Sequence, residues 1–150
     1  MTPGEVRARI LADHVAIRGM LLSLEHVAQR VRGGEQSLLG ALRLEGETRL
    51  RRLQDHMLWE DLHLAPALRQ ADAWGEERAA QLDSDHREQR QVLAHCLSAV
   101  CDESRPAAVV ARTLIDLVGM LHEDIQDEER LLLDESILRD DVIGIDVETD

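Results

Sequence analysis

The chain has 150 residues, which suits one domain, and 44% of them are hydrophobic, as in ordinary globular proteins. Its net charge of −13 argues against nucleic acid and against an anionic membrane surface as partners, because both are bound through basic faces. Phe and Tyr are absent, whereas Leu, Ala, Arg, Glu and Gln are abundant. These residues favour helices over strands, so the composition predicts an all-α fold.

Nothing in the sequence indicates export or membrane insertion. The N-terminal residues MTPGEVRARI contain no apolar segment of the kind found in secretory signals. The most apolar stretch, residues 106–121, is interrupted by Arg112 and Asp116 and is too polar for a transmembrane helix. Cys96 and Cys101 are too few for a disulfide framework. We therefore expect a cytoplasmic protein.

Apolar residues spaced three or four apart predict four long helices. The first helix opens at Thr2 and Pro3 and stops at the glycines 33–34. The second helix runs from about residue 36 to residue 64, where Pro66 is expected to end or kink it. A weaker helical stretch continues as far as residue 73.

The third predicted helix spans residues 75–101, and the fourth begins at Ser104 with Pro106 just inside it. Short connections between long helices predict an up-down-up-down four-helix bundle over residues 1–134. Residues 135–150 form a short acidic C-terminal tail, expected to be a short helix and an extended strip against the bundle.

Histidines lie on the apolar sides of these helices. Four of the seven fall one to each helix: His14, His56, His86 and His122. A single histidine on an apolar face is usually a satisfied core residue, but four buried imidazoles would be costly without compensation. A metal ion compensates them, because neutral imidazole is a good ligand for iron or zinc.

Carboxylates accompany two of these histidines. His56 and Glu60 are four residues apart and therefore share a face of their helix. His122 and Asp127 are five apart, about 140° around an ideal helix, so Asp127 needs a long reach or a π-bulge. The alternatives near it are Gln126, Glu128 and Glu129. Four imidazoles and two carboxylates in a bundle fit two first-row metal ions.

The chain resembles the hemerythrin-like (HHE) domains over about residues 5–133. The segment HMLWED at residues 56–61, followed by Leu64 and Pro66, is similar to the second-helix motif of that family. The pairs Asp-His at residues 13–14 and 85–86 are similar to its first-helix and third-helix motifs. His122 with Asp127 is similar to its last-helix motif.

This resemblance implies two non-heme iron ions bridged by the carboxylates of Glu60 and Asp127. The implied ligands are His14, His56, Glu60, His86, His122 and Asp127. Oxygen-carrying hemerythrins have a second histidine four residues from the third-helix one, but here Arg90 follows His86 at that distance. The missing ligand implies an open iron position that binds or senses oxygen, reactive oxygen species or nitric oxide, rather than reversible oxygen carriage.

Other interpretations stay open at this point. The same open iron would suit an enzyme that turns over peroxide or nitric oxide. The histidines would be core residues in a metal-free helical adaptor. Ferritin-like ligation is disfavoured, because only Glu60 and His63 match its Glu-x-x-His pattern well. We expect a monomer or homodimer whose acidic tail is available to a protein partner.

Overall fold

The computed structural model describes residues 1–140, and it confirms the predicted all-α bundle. The helices are α1 (Pro3–Arg32), α2 (Leu39–Ala71), α3 (Gly75–Cys101) and α4 (Ala107–Leu131). A single 3₁₀ turn, Gln36–Leu38, joins α1 to α2. Within residues 1–140, no helix has both the length and the apolar run that a bilayer crossing requires.

The helix ends follow local sequence signals, with two differences. Thr2 and Glu5 form a capping box at the start of α1, as a Thr followed three residues later by Glu favours. Pro66 does not end α2, which continues to Ala71. α4 begins after Pro106 rather than at Ser104, since Pro106 has the extended backbone of a cap residue.

The four helices form a square in which neighbours in sequence are neighbours in space. The most extensive contacts are between α2 and α3 and between α1 and α4. α3 and α4 approach each other least of the four adjacent pairs, and an open cleft separates them. This looser side of the bundle matters for access to the interior.

The core consists of two apolar clusters at opposite ends of the bundle. The larger contains fully buried leucines from all four helices, including Leu24, Leu50, Leu93 and Leu114. The smaller includes Ile10, Leu64 and Leu82. The two clusters are separated by about two turns along α1 and α2 and by about three turns along α3, and the buried polar residues lie in that gap.

The segment after α4 packs back onto the end of the bundle that holds the smaller cluster. Leu133 and Leu138 are buried there. Arg7 Nε donates to the Leu133 carbonyl oxygen at 2.6 Å, and the Gly4 N–H donates to Asp140 Oδ1 at 2.7 Å. Residues 134–138 form turns rather than the expected short helix, and the predicted strip at residues 142–147 lies outside the described residues.

The turn between α2 and α3 depends on a glycine. A Cβ added at Gly75 would lie 2.1 Å from the Leu68 carbonyl oxygen, whereas one added at Gly19 on α1 would meet nothing within 4 Å. We expect Gly75→Ala to lower the free energy of unfolding by about 1–3 kcal/mol, because helix backbones must separate. Gly19→Ala should raise it by about 0.5–1 kcal/mol through helix propensity.

Urea denaturation followed by circular dichroism measures both changes. Equal effects of the two substitutions would contradict the close approach at Gly75.

Candidate metal centre

A polar layer lies between the two apolar clusters. His14 on α1, Glu60 on α2 and His86 on α3 are each only 1% exposed. Each lies in the gap where its helix passes from one cluster to the other, and Glu128 occupies the same gap on α4 between Ile125 and Leu132. The fold therefore brings one polar side chain from every helix to one level of the core.

These side chains form two groups that share a carboxylate. In the first group are His14, His56 and Glu60, and in the second are Glu60, His86 and Glu128. Within each group, one ligand atom per residue lies within 4.8 Å of the others. His56 Nε2 is 2.7 Å from Glu60 Oε1, as expected for residues four apart on one helix.

Glu128, on α4, also lies close to both groups. Its Oε1 lies 3.6 Å from His14 Nε2, an atom of the first group, although Glu128 belongs to the second. Glu60 Oε1 lies 3.9 Å from His86 Nε2. Two carboxylates thus stand between the imidazoles of α1 and α2 on one side and the imidazole of α3 on the other.

Two imidazoles have a carboxylate at their outer nitrogen. Glu129 Oε1 lies 3.3 Å from His14 Nδ1 and accepts a hydrogen bond from Arg18 Nη1 at 2.8 Å. Asp13 Oδ2 lies 3.6 Å from His56 Nδ1, beyond hydrogen-bonding distance. A proton held on Nδ1 by such an acid leaves the Nε2 lone pair directed into the core, as in metal-binding histidines.

The third imidazole is held more firmly. Asp61 Oδ1 lies 2.6 Å from His86 Nδ1, and Arg90 pairs with the other oxygen of Asp61. Arg90 is the residue that stands where oxygen carriers have a second histidine. Its guanidinium fixes Asp61, the acid that orients His86. An arginine that holds this acid therefore stands where the oxygen carriers have a second histidine.

Several buried atoms of this layer have no hydrogen-bond partner among the described residues. They are His14 Nε2, both ring nitrogens of His56, Glu60 Oε2, His86 Nε2 and Glu128 Oε1. Buried polar atoms without partners are costly and rare in folded proteins. All of these residues except His86 line a cavity of about 30 Å³, which is large enough for a water-sized ligand. The donors are nitrogens and carboxylate oxygens, so the layer fits a cation.

The electrostatics of the layer favour a cation as well. Burial raises the pKa of the Glu60 carboxyl to about 7, and it raises that of Glu128 well above its ordinary value, with the nearby Glu60 adding to the effect. Burial lowers the pKa of His14 to about 4 and also lowers that of His56. The imidazoles of His14 and His56 are therefore neutral at neutral pH, with a nitrogen lone pair available to a metal ion. A bound cation would also relieve the repulsion between the carboxylates.

Two expected site residues are not brought into either group. Asp127 is 59% exposed at its side chain and pairs with Arg130 at 3.3 Å, because the inward direction at this turn of α4 belongs to Glu128. His122 is half-buried, and its Nε2 is shielded without a hydrogen-bond partner among the described residues. It lies about 120° around α4 from Glu128, so it does not share that residue's face.

The acids at the outer nitrogens were not found by sequence reasoning. Asp13, Asp61 and Glu129 each lie beside a group member in sequence, but all three act on a histidine of another helix. Asp13 lies beside His56, Asp61 beside His86 and Glu129 beside His14. Their only signal is an acidic residue next to a candidate ligand, which is common on charged helices. Their role depends on interhelical distances.

The support of His86 by Arg90 can be tested with a matched substitution on the same helix. We expect Arg90→Met to weaken divalent-cation binding about tenfold, because loss of an outer partner of a ligating histidine has effects of that size. Arg87→Met, which removes an exposed pair with Asp83, should leave the affinity unchanged. Competition with a chromophoric chelator measures both. Equal affinities of the two variants would contradict a role of Arg90 in orienting His86.

The burial of Glu60 predicts a pH dependence of the metal-free protein. The pKa of the Glu60 carboxyl is raised from 4.5 in the unfolded chain to about 7 in the folded protein. The stability contributed by the protonated carboxyl is therefore complete below about pH 4.5 and is lost as the pH rises through 7. The loss is on the order of 3 kcal/mol. Glu60→Gln cannot ionise, so its stability advantage over the chelator-treated wild type should grow across this window.

Urea denaturation at several pH values measures that advantage, with the exposed Glu123→Gln as control. A constant difference between wild type and Glu60→Gln from pH 4 to pH 8 would contradict the burial of an ionisable group.

Comparison with known proteins agrees with this geometry. The family model described as hemerythrin HHE cation binding domain matches residues 6–135. No curated protein and no solved structure matches the chain. Because the family match covers most of the chain, and because His and Glu groups that could hold a metal lie in its core, the protein belongs to the hemerythrin HHE cation-binding domain family.

Proposed function

We propose that the chain holds two non-heme iron ions and uses them to bind or sense oxygen, reactive oxygen species or nitric oxide. One observation carries this proposal: two groups of buried ligand atoms share Glu60, and Glu128 approaches both. In this proposal Glu60 and Glu128 bridge the ions, and Glu128 takes the place first expected for Asp127.

The donor set fits iron and differs from that of a thiolate-rich structural zinc site. The first group contains two imidazoles and one carboxylate, the combination typical of non-heme iron sites with open positions. The second group has one imidazole and two carboxylates. Zinc sites often use thiolates, but Cys96 lies in the larger apolar cluster and Cys101 is exposed at the end of α3.

The two positions are unequal in protein ligands. His14, His56, Glu60 and Glu128 surround the first position, and His86, Glu60 and Glu128 surround the second. A bound iron pair would supply redox electrons and open coordination positions for oxygen, peroxide or nitric oxide. The second position, with fewer protein ligands, is where we place such a small molecule.

The chain's own residues orient the ligands and keep the cavity dry. Asp61 and Glu129 hold the rings of His86 and His14, and each acid is fixed by an arginine. The remaining cavity wall is largely aliphatic and includes Ile17, Leu53, Met57, Leu93, Leu121 and Ile125. This wall excludes water from the layer and admits small apolar molecules.

An enzyme that turns over peroxide or nitric oxide is the second candidate. It is favoured by Asp124, a partly buried carboxyl that lines the cavity and whose pKa is raised by burial, as a proton donor requires. Mixing the reduced iron-loaded protein with excess peroxide separates the candidates. Repeated turnover without loss of iron supports the enzyme, and a single stoichiometric reaction supports binding or sensing.

The adjacent acids Asp127 and Glu128 offer a test of the ligand set. We expect wild-type protein purified without chelators to contain about two iron ions per chain by plasma mass spectrometry. Asp127→Asn should be unchanged, because its side chain is exposed. Glu128→Gln should bind iron at least tenfold more weakly, because it removes a charged ligand shared by both positions.

Iron-dependent stabilisation against heat gives a second readout of the same variants, since binding to the folded state raises the melting temperature. Loss of iron in Asp127→Asn but not in Glu128→Gln would show that Asp127, and not Glu128, is the ligand. Absence of iron binding in the wild type would overturn the proposed function.

A further inference from the structure

The cleft between α3 and α4 is strongly acidic. Its volume is about 340 Å³, and its charged lining consists of Asp85 and Glu88 from α3 with Asp124, Asp127 and Glu128 from α4. No basic side chain is among the described residues that line it. Arg130 pairs with Asp127 but does not itself line the cleft. The cleft is therefore a region of negative potential on the loosest side of the bundle.

Two of these acids are oriented by neutral partners. Gln81 Nε2 donates to Asp85 Oδ1 at 2.8 Å, and Gln89 Nε2 donates to Asp124 Oδ2 at 3.2 Å. A neutral donor holds a carboxylate in place without cancelling its charge, whereas an arginine would cancel it. The cleft can thus attract a cation without first giving up an ion pair at these positions.

The cleft leads to the metal-ligand layer. Gln89, Asp124 and Glu128 line both the cleft and the inner cavity of about 30 Å³. Within residues 1–140, Glu128 Oε1 has no hydrogen-bond partner. Glu128 groups with Glu60 and His86, whose side chains are 99% buried and also carry atoms without a partner in that range. The Gln89–Asp124 hydrogen bond connects α3 to α4 at the inner end of the cleft.

The opposite side of the bundle offers a different opening. A hollow of about 250 Å³ between α1 and α2 reaches His56, and its charged lining is Arg9, Arg52, Asp13 and Asp55. Arg9 also lies over the Trp59 ring at 5.0 Å. Two arginines offset the two acids, so this hollow does not concentrate cations.

We propose that the acidic cleft between α3 and α4 is the entrance through which a divalent cation reaches the buried ligand layer. Asp85 and Glu88 attract the hydrated ion, Asp124 receives it, and Glu128 passes it inward. The Gln89–Asp124 hydrogen bond is the barrier at the inner end. This inference rests on the proposed function for the existence of a metal site, but it does not depend on which metal is bound or on its chemistry.

Stopped-flow mixing of the metal-free protein with Co²⁺ tests the entrance, with absorbance of the bound ion as readout. Glu88→Lys changes the charge of the cleft, and Asp55→Lys makes the same change at the opposite hollow. At low ionic strength we expect Glu88→Lys to slow association roughly tenfold, the lower end of electrostatic steering. Asp55→Lys should stay within about twofold of wild type by the same reasoning.

Two further measurements, the association rate at high salt and the number of Co²⁺ ions bound at equilibrium, separate steering by charge from a change in the metal site. At an ionic strength of about 0.5 M the Glu88→Lys and wild-type rates should converge, because exposed charges are screened. The number of Co²⁺ ions bound at equilibrium should equal that of wild type, since Glu88 is not a ligand. If the association rate of Co²⁺ is unchanged in Glu88→Lys, or is slower in Asp55→Lys, the cleft between α3 and α4 is not the entrance.

Gln89→Ala tests the inner barrier without changing charge. Loss of the hydrogen bond to Asp124 should speed both association and release of Co²⁺ by similar factors, several-fold each, and leave the dissociation constant nearly unchanged. A change in release alone would overturn the assignment of the barrier to Gln89.

The outcomes distinguish this inference from the proposed function. If the wild type takes up no Co²⁺ at any concentration, the metal site and the entrance both fail. If the wild type takes up Co²⁺ and Glu88→Lys does so at the same rate, only the entrance fails.

Discussion

The burial of two carboxylates against three imidazoles is the constraint on which the rest of the structure depends. Glu60 is 99% buried at the middle of the bundle, and Glu128 reaches the same layer from the opposite helix. Neither charge is matched by a lysine or arginine within the layer. Isolated charges in a protein interior either neutralise or acquire a partner of opposite charge. The raised pKa values of both acids reflect the cost of burying their charges, and a bound cation would lower that cost.

The apolar clusters on either side make the layer possible. They hold the helices together at both ends, so the middle can carry groups that would otherwise destabilise the fold. The stability of the bundle comes from these ends, and the function that we propose comes from the layer between them. Such a division is common where a bundle core carries a metal site.

Arginines at the periphery determine how the layer is oriented. Arg18 and Arg90 do not face the cavity, but each holds an acid that contacts the outer nitrogen of an imidazole. On α3, this arrangement fixes the ring orientation of His86, the histidine that this helix contributes to the layer. The position four residues after His86 holds Arg90, which fixes the acid beside His86 instead of adding a second imidazole to the layer.

The sequence by itself determined the four helices, because apolar residues at spacings of three and four residues specify them and because Thr2, the glycines 33–34 and Gly75 mark their ends. It also determined that His14, His56, Glu60 and His86 lie on inward faces, since each follows the phase of its own helix, and its motifs identified the family.

Only the tertiary structure decided that the side chain of Glu128 enters the buried layer while that of Asp127 is exposed, because this depends on the rotation of α4 about its axis relative to the other helices. The pairings of Asp61 with His86 and of Asp13 with His56, like the cleft between α3 and α4, depend on distances between helices. Those distances are set by how side chains pack across the core, and no spacing along a single helix contains them.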